Sequence, residues 1–452
     1  MAKKYSIDMT EGPILGKLLA LTVPLLLSSV LQLLFNAADI IVVGNFASDN
    51  SLAAVGSTSS LINLMTNLFL GLSVGANVLA SQFIGARDIK NVNKTVHTAI
   101  FLSVSCGILL TGIGVLFADK LLSLMQTPAE VLTLSALYLR IYFCGMPAMM
   151  VYNFGSSVLR AKGDTRRPLY FLTLAGVVNV ILNLYFVISL HMDVAGVALA
   201  TIISQYISAS LIVICLMREE EAFRFSFKHL IPDRRLVVKI LQVGIPAGFQ
   251  GVVFALSNVV VQSSINSFGP VVMAGSAASA SIEGFVWVSM NAFSQGAITF
   301  MSQNIGGGKY GRMTKITATT CACAALCGLI MGNLVCLFGN QLLGIYDPRP
   351  EILAPGLTRL RLVCGMYFLC GLMDCIVGNI RGMGYAVAPT VVSLIGACGL
   401  RILWIFTVFQ IPRFHTDFVL FLSYPISWGI TFLAHLVCYI FMRRRYPKKN
   451  AE

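Results

Sequence analysis

Twelve apolar runs, each long enough for the roughly 20 helical residues that cross a bilayer, fill this chain and leave only short polar connectors. They read at 14–44, 51–80, 95–118, 131–157, 168–190, 194–217, 236–266, 271–300, 314–338, 352–379, 388–411 and 416–442. With 57% of its residues hydrophobic and 11% charged, the chain has no room for a soluble domain, and whatever it does happens inside or across a membrane. The longest polar stretch, Arg218 to Arg235, is a connector. The polar N-terminus is followed by no small-residue cleavage site, so the first run reads as a retained helix and not as a signal peptide. The expected fold is all-α and integral to the membrane, with twelve transmembrane helices arranged as two six-helix lobes. Residues 1–217 form the first lobe, 218–235 a linker and 236–452 the second lobe.

The two lobes are legible because the chain repeats itself. Ser73-x-Gly75-Ala76-x4-Ser81-Gln82-x-Ile84-Gly85 returns as Ser294-x-Gly296-Ala297-x4-Ser302-Gln303-x-Ile305-Gly306, shifted by 221 residues. Arg160-x2-Gly163-x4-Pro168 returns as Arg381-x2-Gly384-x4-Pro389 with the same shift. Cys144-Gly145-Met146 returns as Cys364-Gly365-Met366, and Pro24 and Asn36 return as Pro246 and Asn258. Each copy holds an even number of spans, so both have the same orientation and form a parallel repeat, the type whose halves rock about a shared interface. The Ser-Gln-x-Ile-Gly signals read as structural punctuation at the ends of spans 2 and 8.

The loops carry an orientation signal. Of 32 basic residues, 25 fall in the tails and in alternate loops on one side, from Lys3, Lys4 and Lys17 to Arg443, Arg444, Arg445, Lys448 and Lys449. The opposite loops hold Lys120, Arg349 and Arg413. Positive charge marks the cytoplasmic side, so both termini are expected there, in a cell (plasma or inner) membrane. The net charge of +13 is thereby explained by topology and by anionic lipid headgroups, and no nucleic-acid partner is needed. Arg140, Arg359, Arg361 and Arg401 lie near spans, most of them close to predicted ends.

Carboxylates inside the membrane are costly, at ~2.5–3.5 kcal/mol for Asp at a helix centre on insertion scales, and therefore point to function. Asp39, Glu283 and Asp374 lie well inside apolar runs. Asp39 ends a stripe, Gln32, Asn36, Asp39, on one face of span 1, and Pro24 earlier on the same span removes a backbone hydrogen bond and permits a bend. Asn179 and Asn183 share a face of span 5, and Thr201 opens span 6. If these faces meet, one ionisable group is surrounded by neutral oxygens, which suits a proton or a small hard cation. The other reading of the asparagines is interhelical hydrogen-bond glue. Glu283 shares a face of span 8 with Ser279 and Trp287, and Asp374 lies midway along span 10. These acids suit protons or cationic substrate, or a structural partner.

Enzymatic classes find no support. The chain has no His-Glu-x-x-His, no Gly-x-Ser-x-Gly and no phosphate-binding Gly-x4-Gly-Lys-Ser/Thr. Gly306-Gly307-Gly308-Lys309 is followed by neither Ser nor Thr. The twelve cysteines lie in or at the ends of apolar runs without zinc-type spacing and read as small buried side chains. The histidines are scattered, and His435, the one well inside a span, reads as a satisfied polar contact. No metal or organic cofactor is expected; an ion gradient is the remaining energy source.

At this point the pattern resembles the multidrug and toxic compound extrusion (MATE) family over essentially the whole chain. The carrying residues are Pro24 with Asp39, Gly75-Ala76-x4-Ser81-Gln82, Arg160-x2-Gly163-Asp164, Arg381-x2-Gly384 and Asn179-x2-Leu182-Asn183. The resemblance implies an antiporter that expels amphipathic, often cationic small molecules in exchange for H+ or Na+. It implies that loading Asp39 changes the bend of span 1 near Pro24. Some members carry Asp where this chain has Asn183, and some carry Glu in span 7, where this chain offers Gln250. The competing readings are a flippase of the wider superfamily for lipid-linked precursors, which should place several cations in a central cavity, and a receptor or channel without transport. A monomer among membrane lipids is expected.

Overall fold

The computed structural model describes residues 6–46, 49–125, 127–220 and 222–447; Lys3, Lys4, Lys448 and Lys449 of the orientation signal lie outside them. All regular structure among the described residues is helical. The helices are α1 (Ile14–Phe46), α2 (Asp49–Gly85), α3 (Ile89–Leu124), α4 (Ala129–Cys144), α5 (Met146–Ala161), α6 (Arg166–Leu184) and α7 (Asp193–Met217). They continue as α8 (Arg234–Asn266), α9 (Pro270–Gly306), α10 (Met313–Leu337), α11 (Gly339–Gly344), α12 (Pro350–Gly365), α13 (Tyr367–Gly382), α14 (Val387–Ser393), α15 (Leu400–Phe406) and α16 (Asp417–Arg443). Large apolar side chains such as Ile41, Leu116, Val259 and Leu403 stay exposed on them, as a lipid solvent demands.

Among the described residues ten helical stretches are long and apolar enough to span a membrane, and the count reaches twelve when two bent pairs are each taken as one span. The fourth and tenth spans are those pairs: α4 meets α5 at 45° and α12 meets α13 at 42°. The breaks fall on Gly145 and on Gly365–Met366, so the repeated Cys-Gly-Met is where each copy kinks. The Arg-x2-Gly repeat has an equally plain structural meaning. Gly163 and Gly384 adopt φ of 91° and 90°, a left-handed conformation that favours glycine. Behind them, Asp164 N–H reaches Leu159 C=O at 3.0 Å and Tyr385 N–H reaches Ile380 C=O at 3.3 Å. These are the same helix-ending motif twice.

The chain resolves into two compact units, Met1–Asp8 with Leu27–Gly248, and Met9–Leu26 with Phe249–Glu452. This partition differs from the lobes read from sequence in two helical segments. The chain crosses from unit 2 to unit 1 two residues after Pro24, and from unit 1 to unit 2 two residues after Pro246. Within unit 1 the first half of α8 lies backbone to backbone on α2. A Cβ on Gly75 would stand 2.2 Å from Ile240 O, and one on Gly71 2.2 Å from Gly248 N, the close approach that small residues allow between membrane helices. Within unit 2, Met9 is fully buried, its N–H donating to Gln303 Oε1 at 3.1 Å and its C=O accepting from Asn304 Nδ2 at 3.0 Å. The Ser-Gln-x-Ile-Gly signal thus does more than punctuate α9: it anchors the segment that leads into α1.

Candidate ion site and its relatives

In unit 1 the second half of α1, α6 and α7 bring four of the five residues singled out on them together. Asn183 Nδ2 donates to Asp39 Oδ1 and lies 3.4 Å from Asn179 Oδ1. Asn179 Nδ2 in turn lies 3.4 Å from Thr201 Oγ1, whose own proton goes to Val197 C=O at 2.9 Å. Helical spacing explains the cluster: Asn179 and Asn183 are four apart on α6 and both buried. The Asn183 Oδ1 oxygen is buried with no hydrogen-bond partner. The constellation therefore offers a carboxylate, amide oxygens and a hydroxyl, a donor set of the hard kind that suits Na+ or a proton on Asp39.

Asn36 is not part of it. Its side chain, like that of Gln32, is exposed, and among the described residues no hydrogen bond joins it to Asp39. Two residues absent from the sequence reading lie near the cluster. Tyr138 and Tyr142 of α4 stack at 5.8 Å and both lie within electrostatic reach of Asp39. Their four-residue spacing was the available signal, but in an apolar run it is indistinguishable from core packing.

Unit 2 separates the candidates assigned to it into two groups. Glu283 of α9 is buried and bound bidentately by Arg359 of α12, Nε to Oε1 at 2.7 Å and Nη2 to Oε2 at 2.8 Å, while Arg359 Nη1 donates to Ser276 Oγ at 2.6 Å. Of the readings left open for Glu283, the structural partner is what the geometry supplies, and Arg359 sits in the core, away from any span end. Ser279, expected on the same face, donates instead to Gly356 C=O at 2.7 Å. The second group holds Asp374, Trp287 and Gln250. Trp287 and Arg381 both act on the Asp374 carboxylate. Arg381 Nη2 also donates to Gln250 Oε1 at 2.7 Å. Sequence places Arg381 in a loop; its guanidinium turns back into unit 2, as long cationic side chains near helix ends can. His435 is fully buried with Nε2 3.0 Å from Ser393 Oγ, and its Nδ1 has no partner, so it is satisfied at one nitrogen only. Among the described residues all twelve cysteines are free and no cluster could hold a metal.

With this architecture in place, known proteins supply its class. The MatE family model matches residues 24–185 and again 246–407, two segments offset by 222 residues. The chain belongs to the MatE family, as a multi-pass membrane protein in which the family unit occurs twice. It is 29% identical to Probable multidrug resistance protein YpnP of Bacillus subtilis (87% of this chain, 88% of the relative). It is 26% identical to Probable multidrug resistance protein YoeA of the same organism (91% and 90%). In fold it is similar to an outward-facing multidrug resistance MATE family transporter of the MOP superfamily, with a TM-score of 0.89 at 19% identity over 98% of each chain. A crystal structure of a MATE in the straight conformation gives the same TM-score at 20% identity, covering 97% of this chain and 98% of that one.

Proposed function

We propose that this chain is a secondary active antiporter that exports amphipathic or cationic small molecules in exchange for H+ or Na+. The observation that carries this reading is the Asp39–Asn183–Asn179–Thr201 cluster, an ionisable group inside a membrane helix with neutral oxygens around it. The relatives named as multidrug resistance proteins support the substrate class, and so does a MATE of the same fold solved in complex with MaL6. Asp39 is the loading group; Asn179, Asn183 and Thr201 complete its coordination. Its charge state alters α1, in which Pro24 provides the weak backbone point. No organic cofactor takes part, the protein works as a monomer among lipids, and both termini lie in the cytoplasm.

The flippase reading needs free cations for a pyrophosphate lipid. It needs several of them, and of the two buried arginines near Tyr424, Arg359 is held by Glu283, which leaves Arg401 alone. The decisive experiment is dye efflux from proteoliposomes driven first by a proton gradient, then by a sodium gradient. The wild type should respond to one of them, and Asp39→Asn should reduce the driven flux to the leak rate with the protein still folded. Undiminished flux in Asp39→Asn would sink the assignment.

A further inference from the structure

Arg401 is the second residue of α15, which follows directly on a π-helical turn, Leu394–Gly399, a distortion frequent at functional sites. Its residue is 2% exposed, and its guanidinium carbon lies 4.0 Å from the centroid of the Tyr424 ring. Nη2 lies 3.5 Å from Ser427 Oγ, whose own proton is used on Tyr424 C=O at 2.9 Å. Nε is buried with no hydrogen-bond partner. Among the described residues no carboxylate pairs with Arg401. Glu283 is bound by Arg359, while Trp287 and Arg381 act on Asp374.

Arg401 is therefore a buried charge without an ion-pair partner among the described residues. Arg359 lies 6.0 Å from the same ring, so the two guanidinium carbons stand within about 10 Å of each other, close enough to repel across a low-dielectric interior. Arg359 has its counter-charge in Glu283, and Arg401 has none within ion-pair distance among the described residues. An arginine cannot shed its proton to relieve this, and a buried ion without a counter-charge is strongly unfavourable. The aromatic face offsets only part of that cost.

We propose that Arg401, with Ser427 and the Tyr424 ring, forms an anion-binding site in unit 2, which takes a small monovalent anion through the free Nε edge of the guanidinium. The anion is chloride or the carboxylate of a bound organic compound, since either presents one negative charge to that edge. The site does not depend on the direction or coupling of transport. It gives unit 2 a chemistry opposite to the cation-type donors around Asp39.

Purified protein is unfolded thermally in detergent, with sodium held constant and the anion varied between HEPES as the bulky baseline, chloride and acetate. A ligand that binds only the folded state raises the midpoint with its concentration. At about 100 mM, chloride or acetate should raise the midpoint by about 2–4 °C over HEPES, and Arg401→Gln should abolish the rise. A rise with chloride alone assigns an inorganic anion, and a rise with acetate alone assigns the carboxylate of an organic ligand. No rise with either, or an equal rise in Arg401→Gln, overturns the proposal. Should Arg401→Gln not fold, Arg401→Lys keeps the charge but loses the Nε edge, and its half-saturating anion concentration should increase by about ten-fold. An unchanged value there also overturns it.

Discussion

The helices that follow the two Arg-x2-Gly signals are copies of one another, yet they carry opposite chemistry. In unit 1, α6 contributes the buried amides of Asn179 and Asn183 beside Asp39 and then relaxes into a π turn at Tyr185–Ser189. In unit 2 the corresponding stretch turns π-helical at Leu394–Gly399 and then presents Arg401, which has no carboxylate partner among the described residues. Backbone devices are shared: both copies end a helix on a left-handed glycine and both kink on Cys-Gly-Met. The acids Asp39, Glu283 and Asp374, and the arginines Arg359 and Arg401, are not. Duplication has thus kept what makes each unit fold, and it has left the polar interior free to diverge.

The contrast breaks most sharply if the acids of the two units are exchanged in role. Asp39→Asn should lose gradient-driven efflux with little change in thermal stability, because the amide preserves shape and the site is partly open. Glu283→Gln should do the reverse. It strands Arg359 in the core and should cost about 3–5 kcal/mol, read as a fall in the unfolding midpoint. The double replacement Glu283→Leu with Arg359→Met should recover most of that loss, since a buried pair replaced by apolar groups is often neutral. If Glu283→Gln is as stable as the wild type, the division into a working acid and a structural acid fails.

A smaller effect sharpens the packing side of the comparison. Gly75→Ala drives a Cβ into Ile240 O at the α2–α8 contact and should destabilise by about 1–3 kcal/mol. Gly56→Ala on the same helix meets nothing within 4 Å and should stabilise slightly, by about 0.5–1 kcal/mol. Equal midpoints for the two would remove the backbone contact from the account of unit 1.

A last effect, read in the pH dependence alone, lies at the polar end of unit 1. Glu219, just beyond α7, receives Lys162 Nζ at 2.7 Å and pairs with Arg167, which also pairs with Asp164. Burial alone would raise its carboxyl, but the hydrogen bonds and charges of Lys162 and Arg167 outweigh burial and hold it below the ordinary value of 4.5. A depressed folded-state value means that this contribution is present above pH 4.5 and is lost as pH falls through the folded value. The acid limb of the stability curve should therefore flatten in Glu219→Gln, and an identical limb would show that the network is energetically idle.

Much of this was legible in the sequence because lipid restricts the choices. Apolar runs had to be helices, and the constant offset revealed the two copies. Asp39, Asn179, Asn183 and Thr201 could be singled out because polar groups are rare in such runs and helical spacing fixes their faces. What was illegible depended on contacts across the sequence. Arg359 and Arg401 looked like span-end cations, since nothing local distinguishes a snorkelling arginine from one turned inward. Arg381 looked like a loop charge until its reach to Gln250 was visible. Asn36 had the right spacing and is still exposed, because spacing along a helix sets a face without setting what lies opposite it.

The burial of Met9 against Gln303 and Asn304 has a temporal consequence. These partners lie 294 and 295 residues apart, so the leading segment leaves the ribosome long before the part of unit 2 that receives it. At about 5–20 residues per second, the delay is roughly 15–60 s. During that interval the start of α1 must wait in the membrane with its docking surface unmade. Unit 2 therefore closes around a segment made long before the residues that hold it.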